Sequence, residues 1–170
     1  VVGPQTSSLV EGADPVALVR RWESGQGRHL VDPGLAAWED LDSEAVLMAR
    51  IAWGAPVPGG TRYWSRRRYL SFDADGAPER LIEVQLLSAH QPWVRARHSD
   101  LLVAGSLGAR YWIYALTAAP GGAVHLRAVQ DPASSAWDPA SARGAAGDHD
   151  PLWVLPLSRV AAAPVLVTAA

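Results

Sequence analysis

At 170 residues, 49% of them hydrophobic, the chain is long enough for one domain with a substantial core, since a chain of this size buries about 70% of its unfolded surface. Zero cysteines exclude disulfides and thiolate metal sites and fit a reducing, cytoplasmic setting. The longest apolar runs fall far short of the roughly 20 residues that span a bilayer, so no membrane partner is expected, and the formal net charge of −2 argues against gripping nucleic acid by bulk charge.

The first predicted element is a helix from Pro15 to about Ser24, with Asp14 as N-cap, Pro15 at the first helical position and Val16, Leu18, Val19 and Trp22 on the inner stripe. Gly25-Gln26-Gly27 ends it. A second helix is expected from Glu44 to Trp53, capped by Ser43 and stopped by Gly54, and the Pro- and Gly-rich stretch Ala55 to Gly60 leads on as a loop. Two runs rich in aromatic and branched residues follow, Arg66 to Asp73 and Arg80 to Leu87. Between them Asp75-Gly76 tolerates the positive backbone angles of a tight hairpin turn. In the second run Leu81, Glu83, Gln85 and Leu87 share one face, while Ile82, Val84 and Leu86 share the other.

Beyond the hairpin, Ser88 to His98 reads as polar and irregular. Ser99 then caps a short helix from Asp100 to about Ser106. Arg110 to Thr117 and Ala123 to Gln130 read as strands joined by the turn Pro120-Gly121-Gly122; in the first, Trp112 and Tyr114 alternate with Tyr111, Ile113 and Ala115. Asp131 to Asp150 lacks periodicity and reads as a long mobile loop. Leu152 to Leu155 and Pro164 to Thr168 are candidate short edge strands. The expected organisation is a single α/β domain with a mixed sheet flanked by helices. It comprises a helical part over 14–60, a hairpin, helix and strand core over 61–130, the loop 131–150 and an extension over 151–170. A start at Val1 reads as a chain processed or excised from something longer.

Charge is unevenly spread. Residues 1–59 hold four Arg and eight acids, residues 60–130 nine Arg and five acids, and residues 131–170 two Arg and four acids. The basic excess therefore falls on the hairpin part, densest at Arg66-Arg67-Arg68, where only Arg66 and Arg68 share a strand face.

The segment Tyr69 to about Ser134 resembles the domain at the C-terminal end of NO VEIN-type proteins, a family in the PD-(D/E)XK nuclease-like superfamily. The resemblance rests on Ser71 before the turn, the turn Asp73 to Gly76, the core Ile82-Glu83-Val84, the strand Tyr111-Trp112-Ile113-Tyr114 and the closing Asp131-Pro132. Upstream, Arg21 to Asp32 is similar to the family's Glu, Gly-Arg and Asp pattern, although the insertion between Asp32 and Tyr69 is longer than the family leads one to expect. The resemblance implies a restriction-endonuclease-like fold. It also implies a site where an Asp on the first hairpin strand joins the Glu to hold magnesium, while a Lys two residues after the Glu steadies the attacking water.

Here the chain departs from the pattern. Arg68 stands where the Asp is expected, and Gln85 stands where the Lys is expected; the chain has no lysine at all. An arginine repels a metal, and a glutamine orients a water but supplies no positive charge. The expectation is a degenerate nuclease-like domain without a cofactor, binding DNA or RNA or scaffolding a larger protein in a defence or DNA-transaction assembly. One alternative is a magnesium-dependent endonuclease in which Glu83, Gln85 and Asp73 form the catalytic set and Glu83 and Asp73 hold the metal. Asp75 lies too far along the hairpin, and Asp73 reaches only if a bulge reshapes the ladder, since Ser71 or Tyr69 is expected opposite Glu83. A further alternative is a protein-interaction module.

The nucleic-acid candidates are Arg62, Arg66, Arg68, Arg95 and Trp93, with Trp64 and Trp93 beside Arg62 and Arg95 as stacking surfaces. His149 between Asp148 and Asp150, and His90 with His98, are weaker clusters that read as surface histidines. No nucleophile elbow or phosphate loop is present, so serine-hydrolase and nucleotide-binding classes have no support.

Overall fold

The structure is a computed structural model, and it describes residues 14–31, 67–88, 90, 92–119, 123–140, 151–160 and 165–168. The expected helix Glu44 to Trp53 and the candidates Arg62, Trp64, Arg66 and His149 lie outside the described residues.

Helix α1 (Pro15–Gly25) begins as the sequence predicts. The Asp14 carboxylate accepts from Val16 N at 3.0 Å, and Pro15, which has no N–H to satisfy, takes the first helical position. Strand β1 (His29–Val31) leads back along the sheet. Strands β2 (Arg67–Phe72) and β3 (Pro78–Leu87) form the expected hairpin. Its turn is closed by Gly76 N on Asp73 O (3.2 Å) and Asp73 N on Ala77 O (2.9 Å), with Gly76 at φ 82. Only Gly76 takes the positive angle; Asp75 does not. The connection is thus a three-residue loop, 74–76, in place of the expected two-residue turn.

Ser88 to His98 departs from the expected irregular stretch: Trp93–Arg97 is strand β4. Helix α2 (His98–Leu107) starts earlier than expected, with Arg97 in place of Ser99 as N-cap, because the Asp100 carboxylate accepts from Arg97 N at 3.0 Å. Strands β5 (Tyr111–Ala118) and β6 (Ala123–Gln130) follow. Within the expected loop, the described residues 131–140 form a 3-10 turn at Pro132–Ser134 and a two-residue strand, β7 (Asp138–Pro139). Strands β8 (Leu152–Pro156) and β9 (Val165–Thr168) close the chain order.

The fold is mixed α/β. Six strands form one mixed sheet in the order β1-β2-β3-β5-β6-β9, in which β3 and β5 run parallel and the other neighbours antiparallel. The second sheet is β4-β8-β7, so β8 is a central strand there and not an edge. β9 does occupy an edge, beside β6.

Strand alternation gives the main sheet two apolar faces. On one, Tyr69, Ile82, Val84, Tyr114, Leu116, Val124 and Leu126 pack with Leu18 and Val19 of α1. On the other, Leu70, Leu81, Leu87, Tyr111, Ile113 and Ala115 pack with Ala104 of α2 and with Val94 and Leu155 of the small sheet. The result is three layers: α1, the six-stranded sheet, then α2 with the small sheet. No helix among the described residues is long and apolar enough to cross a membrane.

Candidate functional site

Glu83 sits in the middle of β3, on the face toward α2 and the small sheet, and is 1% exposed. Burial of a carboxylate is costly unless its oxygens are bonded, and here both are. Tyr111 Oη donates to Oε2 at 2.7 Å, and Gln85 Nε2 donates to Oε1 at 2.7 Å. The alternation that predicts Glu83 and Gln85 on one face is what makes the second bond reachable.

The charge partner comes from β2. Arg68 lies directly opposite Glu83 in the antiparallel ladder, with its Nε 3.7 Å from Glu83 Oε2. The same guanidinium donates from its far nitrogen to Asp100 Oδ1 at 2.5 Å, tying the sheet to the first turn of α2. It also lies 5.9 Å over the Tyr111 ring. Burial opposes the Arg68 charge, but the surrounding Tyr111, Glu83 and Asp100 outweigh it and hold the guanidinium firmly protonated. Burial, with Glu83 next to its hydroxyl, pushes the Tyr111 phenol well above its ordinary range, so it remains a donor.

The register corrects the expected geometry. Arg68, not Ser71 or Tyr69, faces Glu83: the three-residue loop alone would place Arg67 there, and the extra residue Glu79, in the bulge between the Ser71 and Phe72 pairings, shifts the ladder by one. That bulge does not bring Asp73 to the site. Asp73 is five residues from Arg68, about 17 Å along the strand at the usual rise. Its carboxylate is engaged in the turn, where Oδ1 accepts from Asp75 N at 3.0 Å and Ala77 N at 2.8 Å. Asp73 is therefore a turn residue, and the catalytic and metal set of Glu83, Gln85 and Asp73 is not assembled. A magnesium ion prefers a nearly octahedral shell of oxygens. Glu83 offers it one carboxylate with both oxygens bonded and a guanidinium alongside, so these residues do not fit the ion.

Gln85 explains its own presence. Its amide meets the exposed edge of β4: Nε2 donates to Arg95 O at 2.6 Å and Oε1 accepts from Arg95 N at 3.0 Å. With the bond to Glu83, the side chain uses both amide hydrogens and its carbonyl. A lysine has donors only and could not accept from the Arg95 peptide.

A second buried carboxylate, on the opposite face, has no counterpart in the expected site. Glu23 of α1 is 0% exposed. It receives Arg28 Nε and a terminal nitrogen at 2.6 and 3.0 Å, Ser71 Oγ at 2.6 Å and Tyr114 Oη at 2.6 Å. Arg80 donates to the Tyr114 hydroxyl at 3.0 Å and stacks 4.2 Å from the Trp112 ring centroid. Burial raises the Glu23 carboxyl, but the bonds from Arg28, Ser71 and Tyr114 outweigh it and leave it below the ordinary carboxylate value. The signal in the sequence was the Glu23, Gly27-Arg28 pattern, which places the pair around the end of α1. The partners on β2 and β5 carried no local signal.

Trp93 and Arg95 share the outward face of β4 with Arg97, while Val94 and Ala96 point inward; Trp93 is half-buried and Arg95 exposed. Arg68 is withdrawn from the nucleic-acid set, since it is mostly buried in the Glu83 cluster. His90 and His98 are exposed, and no group of three potential metal ligands occurs among the described residues.

No protein-family model matches the chain, and no curated protein or solved structure matches it either.

Proposed function

We propose that the chain is a binding or scaffolding domain on a restriction-endonuclease-like frame whose metal-dependent site has degenerated, with nucleic acid as its ligand. Support for the frame comes from the element order: a helix, a hairpin, a second helix and a strand parallel to the second hairpin strand, with Glu83 and Gln85 at the middle of that strand. The observation that carries the degenerate reading is the closure of Glu83 by Tyr111, Gln85 and Arg68. The positive charge that a nuclease lysine would lend to a reacting water is spent here on a buried carboxylate. Nucleic acid as ligand is supported by the basic excess over residues 60–130. A defence or DNA-transaction assembly is the setting the resemblance to NO VEIN-type proteins implies.

The test is a titration of labelled single- and double-stranded DNA and RNA, with and without magnesium or manganese, reading binding and product length together. Salt-sensitive binding without product is expected. Manganese-dependent cleavage that disappears in Glu83→Ala would establish the endonuclease alternative instead. The chain's net charge of −2 favours a protein-interaction module as the second reading, to which absence of all binding would lead.

A further inference from the structure

We infer that the loop of the β2–β3 hairpin is a site of covalent modification, at which Asp75 of the folded chain isomerises to isoaspartate through a succinimide closed by the peptide nitrogen of Gly76. The inference needs no ligand and goes beyond the reading proposed above.

The turn treats its two acids differently. The Asp73 carboxylate accepts from Asp75 N and Ala77 N at 3.0 and 2.8 Å, which holds it in place. The Asp75 carboxylate accepts from none of the described residues, and residues 74–77 are all exposed. Next to it stands Gly76, at φ 82, where a Cβ would meet nothing within 4 Å among the described residues. With no side chain of its own and open space around it, this glycine does nothing to shield its nitrogen. That nitrogen is also held by the longest bond of the turn, 3.2 Å to Asp73 O, at the weak end of the usual range.

The chemistry balances with water alone. Gly76 N attacks Asp75 Cγ, and the amide proton leaves with the carboxyl oxygen as water. A second water then opens the ring. Attack at Cγ restores aspartate, whereas attack at the main-chain carbonyl leaves Gly76 bonded to Cγ and frees an α-carboxylate. The product carries the backbone through its β-carbon, adding one atom to a three-residue loop. Both closing bonds, Gly76 N to Asp73 O and Asp73 N to Ala77 O, span that atom. Because the loop and the Glu79 bulge jointly set Arg68 opposite Glu83, the modification alters one of the two features that fix the register.

The experiment incubates the full chain in mildly acidic buffer and measures isoaspartate with labelled S-adenosylmethionine and a methyltransferase that esterifies only isoaspartyl α-carboxylates. The sequence has no asparagine and a single Asp-Gly pair, so label is expected in the peptide that carries Asp75, beside a succinimide form lighter by one water. Asp75→Asn forms the same ring by losing ammonia and should label several-fold faster. Asp75→Glu keeps the charge but needs a larger ring, and should stay at background. In the isolated isoaspartyl chain the Asp73 and Ala77 amides should exchange hydrogen faster than in the unmodified chain. Label that appears only in urea-unfolded chain would overturn the inference, since the folded loop would then shield the pair. Equal labelling of wild type and Asp75→Glu would overturn it as well, and unchanged exchange at the turn amides would overturn its effect on the hairpin.

Discussion

The side-chain amide of Gln85 and the peptide group of Arg95 pair as two backbone units of a sheet would, one bond given and one received, at 2.6 and 3.0 Å. Because β4 is an edge strand, that peptide faces away from β8, and Gln85 joins the edge to the main sheet. Removing the amide leaves a buried carboxylate oxygen and two peptide groups short of a partner, each costing about 1–3 kcal/mol where water cannot enter. Gln85→Ala is expected to lower stability by about 2 kcal/mol in urea unfolding, allowing for water at the exposed end. The Arg95 amide should lose hydrogen-exchange protection ahead of the β3 amides. Unaltered exchange at Arg95 would contradict the latch.

A lysine at position 85, as the resemblance to NO VEIN-type proteins leads one to expect, should not create a metal-dependent site. In Gln85→Lys the ammonium reaches Glu83 but cannot accept from Arg95 N, and Arg68 still lies 3.7 Å from Glu83 Oε2. The variant should remain inactive with magnesium or manganese and unfold at lower urea than the wild type. Its counterpart, Arg68→Met, leaves Glu83 and Asp100 without their shared cation. A loss of about 3 kcal/mol is expected, as for one partner taken from a buried ion pair.

Much of this was legible where the signal is local. The alternation of β3 put Glu83 and Gln85 on one face, and the stripe Val16, Leu18, Val19 and Trp22 placed α1 against the sheet. Strand β4 was missed since it has five residues, two of them arginines, and its apolar members are only Trp93, Val94 and Ala96. Register was not legible, because it depends on two features that offset each other: the three-residue loop alone would set Arg67 opposite Glu83, and the extra residue Glu79 shifts the ladder by one, to Arg68. The polar clusters were the least legible part. Tyr111 lies 28 residues from Glu83 and Tyr114 lies 91 from Glu23, and nothing local in the sequence joins residues that distant.

Asp73 offers a direct check on the corrected metal set. Its carboxylate holds two turn amides, so Asp73→Ala should cost about 1 kcal/mol, the usual net worth of such bonds. Millimolar magnesium should shift the melting temperature of neither protein, since a ligand stabilises only the state that binds it. A magnesium-dependent rise in the wild type that vanishes in Asp73→Ala would return Asp73 to the metal set.

The Glu23 cluster predicts how the fold responds to acid. Its carboxyl lies below the ordinary value in the folded chain, for although burial raises it, Arg28, Ser71 and Tyr114 hold the ionised form more strongly. A depressed folded-state pKa contributes stability above the unfolded value, about 4.3 for glutamate. That stability is lost as pH falls from there through the folded value. Since Glu23 sits at the end of α1 and its partners Ser71 and Tyr114 sit on β2 and β5, the acid transition should release α1 from the sheet. Tyr114 works in the other direction. Burial and the neighbouring Glu23 raise its phenol above the usual range, so its contribution is complete below about 10 and is lost as pH rises through the folded value. In Glu23→Gln the ionised partner is gone: stability at neutral pH should fall by about 3 kcal/mol, and the acid limb of a stability profile should flatten. Urea midpoints across pH for wild type and Glu23→Gln decide it, and two acid limbs of equal steepness would show that Glu23 does not control the transition.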